Sequence, residues 1–309
     1  MKNRYFVIAA VTLVSVWWLA MTPPDYLQAG RPIVFDDRAI KSMAEVNYSE
    51  QFSGNLELLH SDLPGHDDVI FLDHGKKALV SAMDGRLWIY DFAQQKAEAF
   101  VDAPLMASGL HESLTNEDDI YFCASHLWGD TYPAEERVGL YRIHVPSREI
   151  TPIVLDVPDT KISGPKVWAL DDPKAPRLAK DGTGGESRPL AFCNDLEISN
   201  DGKRIYFSEP FSYSGASMGG GTVHEVLAYN GNGRIWHHEL STGETRLVVE
   251  GFHFLDGILY DLHQGSKREE SIISSLTPGF RIMRFYVTGP KAGQSEMIQD
   301  GLPGMCDGL

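Results

Sequence analysis

Basic residues are scarce in this chain, and the scarcity excludes one class of partner at the outset. Only 27 Lys and Arg stand against 43 Asp and Glu, a formal net charge of −16 over 309 residues. A phosphate backbone or an anionic surface would be repelled, so nucleic acid is not expected as a partner. Acidic surfaces also serve plain solubility, so charge alone does not identify a cation site. Cysteine is scarcer still. Cys123, Cys193 and Cys306 are too few and too scattered for a disulfide framework or a zinc site, and they read as small buried hydrophobes. Low-complexity tracts are missing too. An apolar fraction of 43% with 10% aromatics is that of a globular chain able to bury a sizeable core.

One long apolar run breaks this pattern. Lys2 and Arg4 precede Tyr5 to Met21, seventeen residues without a charge, with Trp17 and Trp18 near the far end, where indoles favour a membrane interface. No small-x-small cleavage site precedes Thr22-Pro23-Pro24, so residues 1–22 read as an uncleaved signal anchor rather than a removed signal peptide. By the positive-inside rule, the chain beyond residue 22 lies on the exported side: periplasm, lumen or outside. Residues 23–53 read as a linker and 54–309 as the folded unit.

Beyond the anchor no long helical periodicity occurs. Short runs rich in β-branched and aromatic residues alternate with Gly, Asp and Asn turns: VIFLD (69–73), ALVSA (78–82), LWIYDF (87–92), DIYFCASH (119–126), GLYRIHV (139–145), LEIS (196–199), RIYFSE (204–209), RIWHHEL (234–240), GILYDL (257–262), SIISSL (271–276) and RIMRFYV (281–287). Asp84-Gly85, Asn200-Asp201-Gly202 and Asn232-Gly233 read as hairpin turns. Units of three or four strands at this spacing predict an all-β propeller. A β-sandwich is the alternative, disfavoured by the recurrence of Gly-Arg-aliphatic in Gly85-Arg86-Leu87 and Gly233-Arg234-Ile235. His237 and His238 fall on an outer-strand candidate and read as surface or packing residues. His66 and His253 flank junction loops.

The junctions between units carry the chemistry. They read Asp67-Asp68-Val69, Ser108-Gly109-Leu110, Asn194-Asp195-Leu196, Asp256-Gly257-Ile258 and Asp307-Gly308-Leu309. The first strand of each blade lines a propeller's channel, so these residues converge on the axis. Three carboxylates and an amide at one spot repel unless a cation sits among them. Oxygen ligands without His or Cys select a hard ion, and a flexible cage suits calcium better than magnesium. Each junction singly is also an ordinary Asx cap of a turn; recurrence is what speaks for metal.

At these residues the chain resembles a known family. FCNDLEISNDGKRIYFSEP (192–210), HEVLAYNGNGRIWHHELSTGETRLVVEGFHFLDGI (224–258) and GPKAGQSEMIQDGLPGMCDG (289–308) are similar to the strictosidine synthase-like proteins of the adipocyte plasma membrane-associated type, relatives of paraoxonases and gluconolactonases. The N-terminal anchor resembles that of the membrane-associated members. The resemblance implies a six-bladed propeller with Ca2+ on its axis and hydrolysis of esters or lactones. It implies Asp67, Asn194, Asp256 and Asp307 as metal ligands, with Asp256 standing for the family's asparagine and Gly308 lacking its amide. Asp68 and Asp195 match positions of a second, structural ion, a weaker expectation. Ser108 replaces a histidine associated with catalysis in paraoxonases. His126 lies close to a second such histidine and is the acid–base or substrate-contacting candidate, beside Asp256. The namesake condensation needs a late-blade carboxylate that the chain lacks.

Two functions are consistent with these residues: a calcium-dependent hydrolase of a small ester or lactone, or a non-enzymatic membrane-anchored scaffold. The stretch from Pro158 to Pro189, rich in Gly, Pro, Lys and Asp, is a lid or a surface loop. Finally, GLPGMCDGL (301–309) repeats the lead of DLPGHDDV (62–69). It reads as the entry to a fifth unit after four, with Gly54 to His60 as a closing strand. The expectation is a C-terminally truncated six-bladed ring, short of roughly 60 to 100 residues.

Overall fold

Every strand-like run named above forms a strand, and these runs fall into four of the five sheets. In the computed structural model, residues 63–126, 135–212, 225, 231–264, 268–302 and 304–309 are described. The expected anchor, linker and closing strand (1–60) lie outside the described residues. Among the described residues no helix is long and apolar enough to cross a membrane.

Blade 1 comprises β1 (His66–Leu72), β2 (Lys77–Ala82), β3 (Arg86–Asp91) and β4 (Lys96–Asp102); blade 2 comprises β5 (Met106–Glu112), β6 (Asp119–Ser125), β7 (Gly139–His144) and β8 (Glu149–Val154). Four short strands come next: β9 (Asp156–Pro158), β10 (Lys166–Val167), β11 (Arg177–Leu178) and β12 (Ser187–Pro189). Blade 3 holds β13 (Leu196–Ile198), β14 (Arg204–Glu209), β15 (Gly233–Glu239) and β16 (Glu244–Phe252), and blade 4 holds β17 (Leu255–Gln264), β18 (Arg268–Leu276), β19 (Arg281–Tyr286) and β20 (Ser295–Asp300). Each blade is an antiparallel meander in chain order, so the molecule is an all-β propeller with four described blades.

Burial differs from strand to strand. β6 is buried on both faces, because its Ile120, Phe122 and Ala124 face one neighbouring blade and Tyr121 and Cys123 the other. The fourth strands, KAEAFVD and SEMIQD, are largely exposed. The inner strands stack in sequence, β1 against β5, β5 against β13, and β13 with β14 against β17. One core joins blades 1, 2 and 3 through Leu79, Leu110, Phe122, Leu196 and Phe207. A second joins blades 3 and 4 through Ile235, Val249, Ile258, Ile272 and Phe285.

Four expectations are corrected. Cys123 and Cys193 are not independent buried hydrophobes: they form a disulfide between blades 2 and 3, with Cα atoms 5.1 Å apart across 70 residues of chain. Sequence separation concealed it, since the two meet only when the blades stack. The stretch 158–189 is neither a lid nor a loose loop. Within it β10 and β11 pair with the outer strand β16, and β12 pairs with β9, so it covers the edge of blade 3. Asn232-Gly233 is not a hairpin turn. Gly233 opens β15, where a Cβ would lie 2.8 Å from the Phe252 carbonyl, and the left-handed position falls on Gly231 (φ 68°). His237 and His238 lie not on an outer strand but on the third strand of blade 3, where, each only 5% exposed, they are packing residues.

Candidate functional site

The junction residues meet where the first strands begin. Asp67 and Asp68 on β1, Gly109 on β5, Asn194 and Asp195 before β13, Gly257 on β17, and Asp307 with Gly308 line one opening of about 250 Å³. Its walls alternate in construction. Asp68 accepts the N–H of its own neighbour Val69 (2.7 Å) and that of Leu110 in blade 2 (2.7 Å). Asp195 does the same with Leu196 (2.8 Å) and with Ile258 of blade 4 (2.7 Å). The backbone N–H of each is held by a second-strand serine, Ser81 at 2.9 Å and Ser208 at 3.2 Å. Between these latches stand glycines. Gly109 N–H donates to the Asn194 carbonyl (2.9 Å) and Gly257 N–H to that of Asp307 (3.2 Å). A Cβ at Gly109 would come within 2.8 Å of the Asp195 Cα, so only glycine permits that approach.

Of the expected ligands, Asp67 and Asp307 are exposed at the opening and Asn194 is half-buried. Asp256 lies beneath, 5% exposed. Its carboxyl receives the Asn194 amide and faces the Thr277 hydroxyl at 2.6 Å. The four are brought to one region, with Asp307 acting electrostatically on both Asp67 and Asp256. Asp68 and Asp195 have instead committed both carboxylate oxygens to backbone donors. Among the described residues no group of three or more His, Cys, Asp or Glu is set out as a ligand shell.

The electrostatics record crowded acids. Burial, then the charges of Asp307 and Asp68, raises the Asp67 carboxyl to about 6. Burial raises Asp195 to about 7 against the pull of its two N–H donors. Burial and Asp307 push Asp256 well above the ordinary carboxylate range. The donors are oxygens throughout and the anionic forms are disfavoured, which is the chemistry a hard cation relieves.

Two candidates stand apart. His126 comes directly after β6 at the same end of the sheet, half-buried and with its basicity lowered by burial, but it is not in the lining of the opening. The Ser108 hydroxyl donates to the Cys193 carbonyl at 3.2 Å. Two contributors were missed in the sequence. Glu197 lines the opening, legible in principle because residues 195 and 197 share a strand face. Thr277 carries no such signal. Gly215-Ala216-Ser217-Met218-Gly219 has the G-x-S-x-G spacing and lies outside the described residues.

No family model matches the chain. In sequence, 122 residues are 30% identical to the adipocyte plasma membrane-associated protein of Salmo salar, covering 40% of this chain and 27% of that one. Over 124 residues, 29% are identical to strictosidine synthase-like 13 of Arabidopsis thaliana, covering 40% and 28%. Over these residues the chain is similar to proteins named adipocyte plasma membrane-associated protein and strictosidine synthase-like. The match spans little more than a quarter of those relatives' length. Among solved structures, a candidate gluconolactonase superposes with a TM-score of 0.52 at 13% identity, over 82% of this chain and 70% of its own. At that identity the likeness is one of fold, and it is the propeller fold that the strictosidine synthase-like resemblance implies.

Proposed function

We propose that this strictosidine synthase-like propeller is a calcium-dependent hydrolase of small esters or lactones. The observation that carries the reading is the convergence of Asp67, Asn194, Asp256 and Asp307 at one end of the inner strands, with Asp67 and Asp256 held in weakly ionising form. Those four residues would hold calcium, which when bound supplies Lewis acidity to a carbonyl oxygen. Asn194 and Thr277 orient the buried Asp256 carboxyl. A carboxylate of the opening that the cation leaves free would take the proton of an attacking water. His126 is the alternative base. The name of the gluconolactonase-like neighbour agrees with lactone chemistry.

Hydrolysis of phenyl acetate and of a γ-lactone, with and without a calcium chelator, tests the reading. Turnover that vanishes on chelation and returns with calcium is expected, and Ser217→Ala should leave it unchanged. One observation favours the scaffold reading: the resemblance expects a histidine where Ser108 stands, and its hydroxyl is spent on Cys193. Calcium-dependent thermal stabilisation without turnover would establish that alternative.

For location we propose membrane attachment through residues 1–22, with the propeller on the exported side. The charge-free run after Lys2 and Arg4 supports it, as do relatives named for the plasma membrane. So does the buried Cys123–Cys193 disulfide, which belongs to an oxidising compartment.

A further inference from the structure

The backbone just ahead of Asn194 is held by hydroxyl groups of the neighbouring blade. Ser125 Oγ, on the second strand of blade 2, accepts the Cys193 N–H at 2.8 Å and donates to the Cys193 carbonyl at 2.8 Å. Ser108 Oγ donates to the same carbonyl at 3.2 Å. Both serines and Cys193 are fully buried, and a buried donor deprived of its partner is costly. The Asn194 main chain is taken up as well: its N–H goes to the Ser208 carbonyl at 3.1 Å and its own carbonyl receives the Gly109 N–H at 2.9 Å. What remains to Asn194 is its side chain. The amide nitrogen donates to Asp256, so the amide oxygen is the hard donor it can offer at the opening.

The same arrangement recurs two blades on. The register sets Ala124 opposite Ala107 and Leu276 opposite Leu255, in each case just ahead of the junctions Ser108-Gly109 and Asp256-Gly257. Ser125 and Thr277 therefore hold equivalent places in blades 2 and 4. Thr277 Oγ1 lies 2.6 Å from the Cys306 carbonyl, and Cys306 precedes Asp307 as Cys193 precedes Asn194. Blades 1 and 3 carry Met83 and Pro210 at that place, so the seams that follow them are built without the hydroxyl. Among the four described blades, it stands only where the next junction puts a candidate ligand into the lining of the opening: Asn194 and Asp307 line it, Ser108 and Asp256 do not.

We infer that Ser125 is a positioning residue for the proposed calcium site, with Thr277 as its counterpart: each fixes the carbonyl ahead of a ligand and so sets where Asn194 and Asp307 present oxygen to the ion. The inference rests on the calcium reading given above. It is separable from that reading because the pose of Asn194 can be observed without the ion.

Two measurements on the full chain test it through Ser125→Ala. Without calcium, 15N NMR follows the Asn194 side-chain amide, one proton of which is protected from solvent exchange by its bond to Asp256. With calcium, calorimetry gives the affinity. Expected in Ser125→Ala are loss of that protection and calcium affinity at least about tenfold weaker, with recovery of both in Ser125→Thr. A serine that only packed the seam would lower the melting temperature and leave both readouts unmoved; that result in a folded Ser125→Ala overturns the inference. Should Ser125→Ala not fold, Thr277→Val and Thr277→Ser take its place. Binding about tenfold weaker in the first and recovered in the second supports the inference, and equal binding in both overturns it. A wild type that binds no calcium removes the hydrolase reading, and the Asn194 amide protection then decides whether Ser125 positions that side chain.

Discussion

A single hydroxyl proton settles how the axial acids are arranged. Thr277 Oγ1 lies 2.6 Å from both Asp256 Oδ2 and the Cys306 carbonyl, but a hydroxyl has one proton to donate. Both contacts are satisfied when Asp256 carries its own proton and donates to Thr277, which donates to Cys306. Burial and the neighbouring Asp307 favour the protonated form of Asp256. Thr277→Val breaks the chain of donors and should cost about 1–2 kcal/mol in denaturant unfolding. Asp195 gives a pH prediction. Its carboxyl is raised from 3.8 to about 7 in the fold, so the unfolded chain ionises first. The stabilisation is complete below about pH 4 and is lost as pH rises toward 7. Buried His237 and His238, lowered to about 3 and 4, slope the opposite way, so comparison with a variant is needed to isolate Asp195. Between pH 4 and 7, in chelator, the wild type should lose stability faster than Asp195→Asn; parallel curves would refute the assignment.

Elements were legible wherever their pattern was local. VIFLD, ALVSA and RIYFSE announce strands because they are short runs of β-branched and aromatic residues bounded by turns, and Asp84-Gly85 announces its hairpin because Gly85 takes φ 78° while Asp84 accepts the Arg86 N–H. Candidate site residues were legible to the extent that they recur, as the Asp and Asn junctions do. β10 and β11, two residues each, carry no periodicity and exist only because β16 offers an unpaired edge. Thr277 and the partnering of Cys123 with Cys193 depend on blade stacking, which no local pattern encodes. Deleting residues 160–186 should bare the outer edge of β16 and produce concentration-dependent self-association in sedimentation. A deletion variant that stays monodisperse would show the edge to be protected otherwise.

At the scale of the whole molecule, blades 2 and 3 are joined covalently next to the candidate site, because Cys193 immediately precedes Asn194. Cys193→Ser should lower stability by about 4 kcal/mol, the order expected for a closed loop of this length, and should also weaken any calcium-dependent rise in melting temperature. A variant as stable as the wild type would mean that stacking alone sets the blades. The hydrophobic seams between blades are interchangeable in principle, since each is a row of aliphatic and aromatic side chains. The axial contacts are not. Asp68 and Asp195 reach across with a carboxylate, whereas Gly109 and Gly257 yield space to a carbonyl. Across the four described blades a carboxylate junction is followed each time by a glycine one, so excising blade 2 alone would bring Asp68 up against Asp195, both seeking the Leu196 N–H. The alternation stops at Asp307-Gly308-Leu309, where glycine follows glycine.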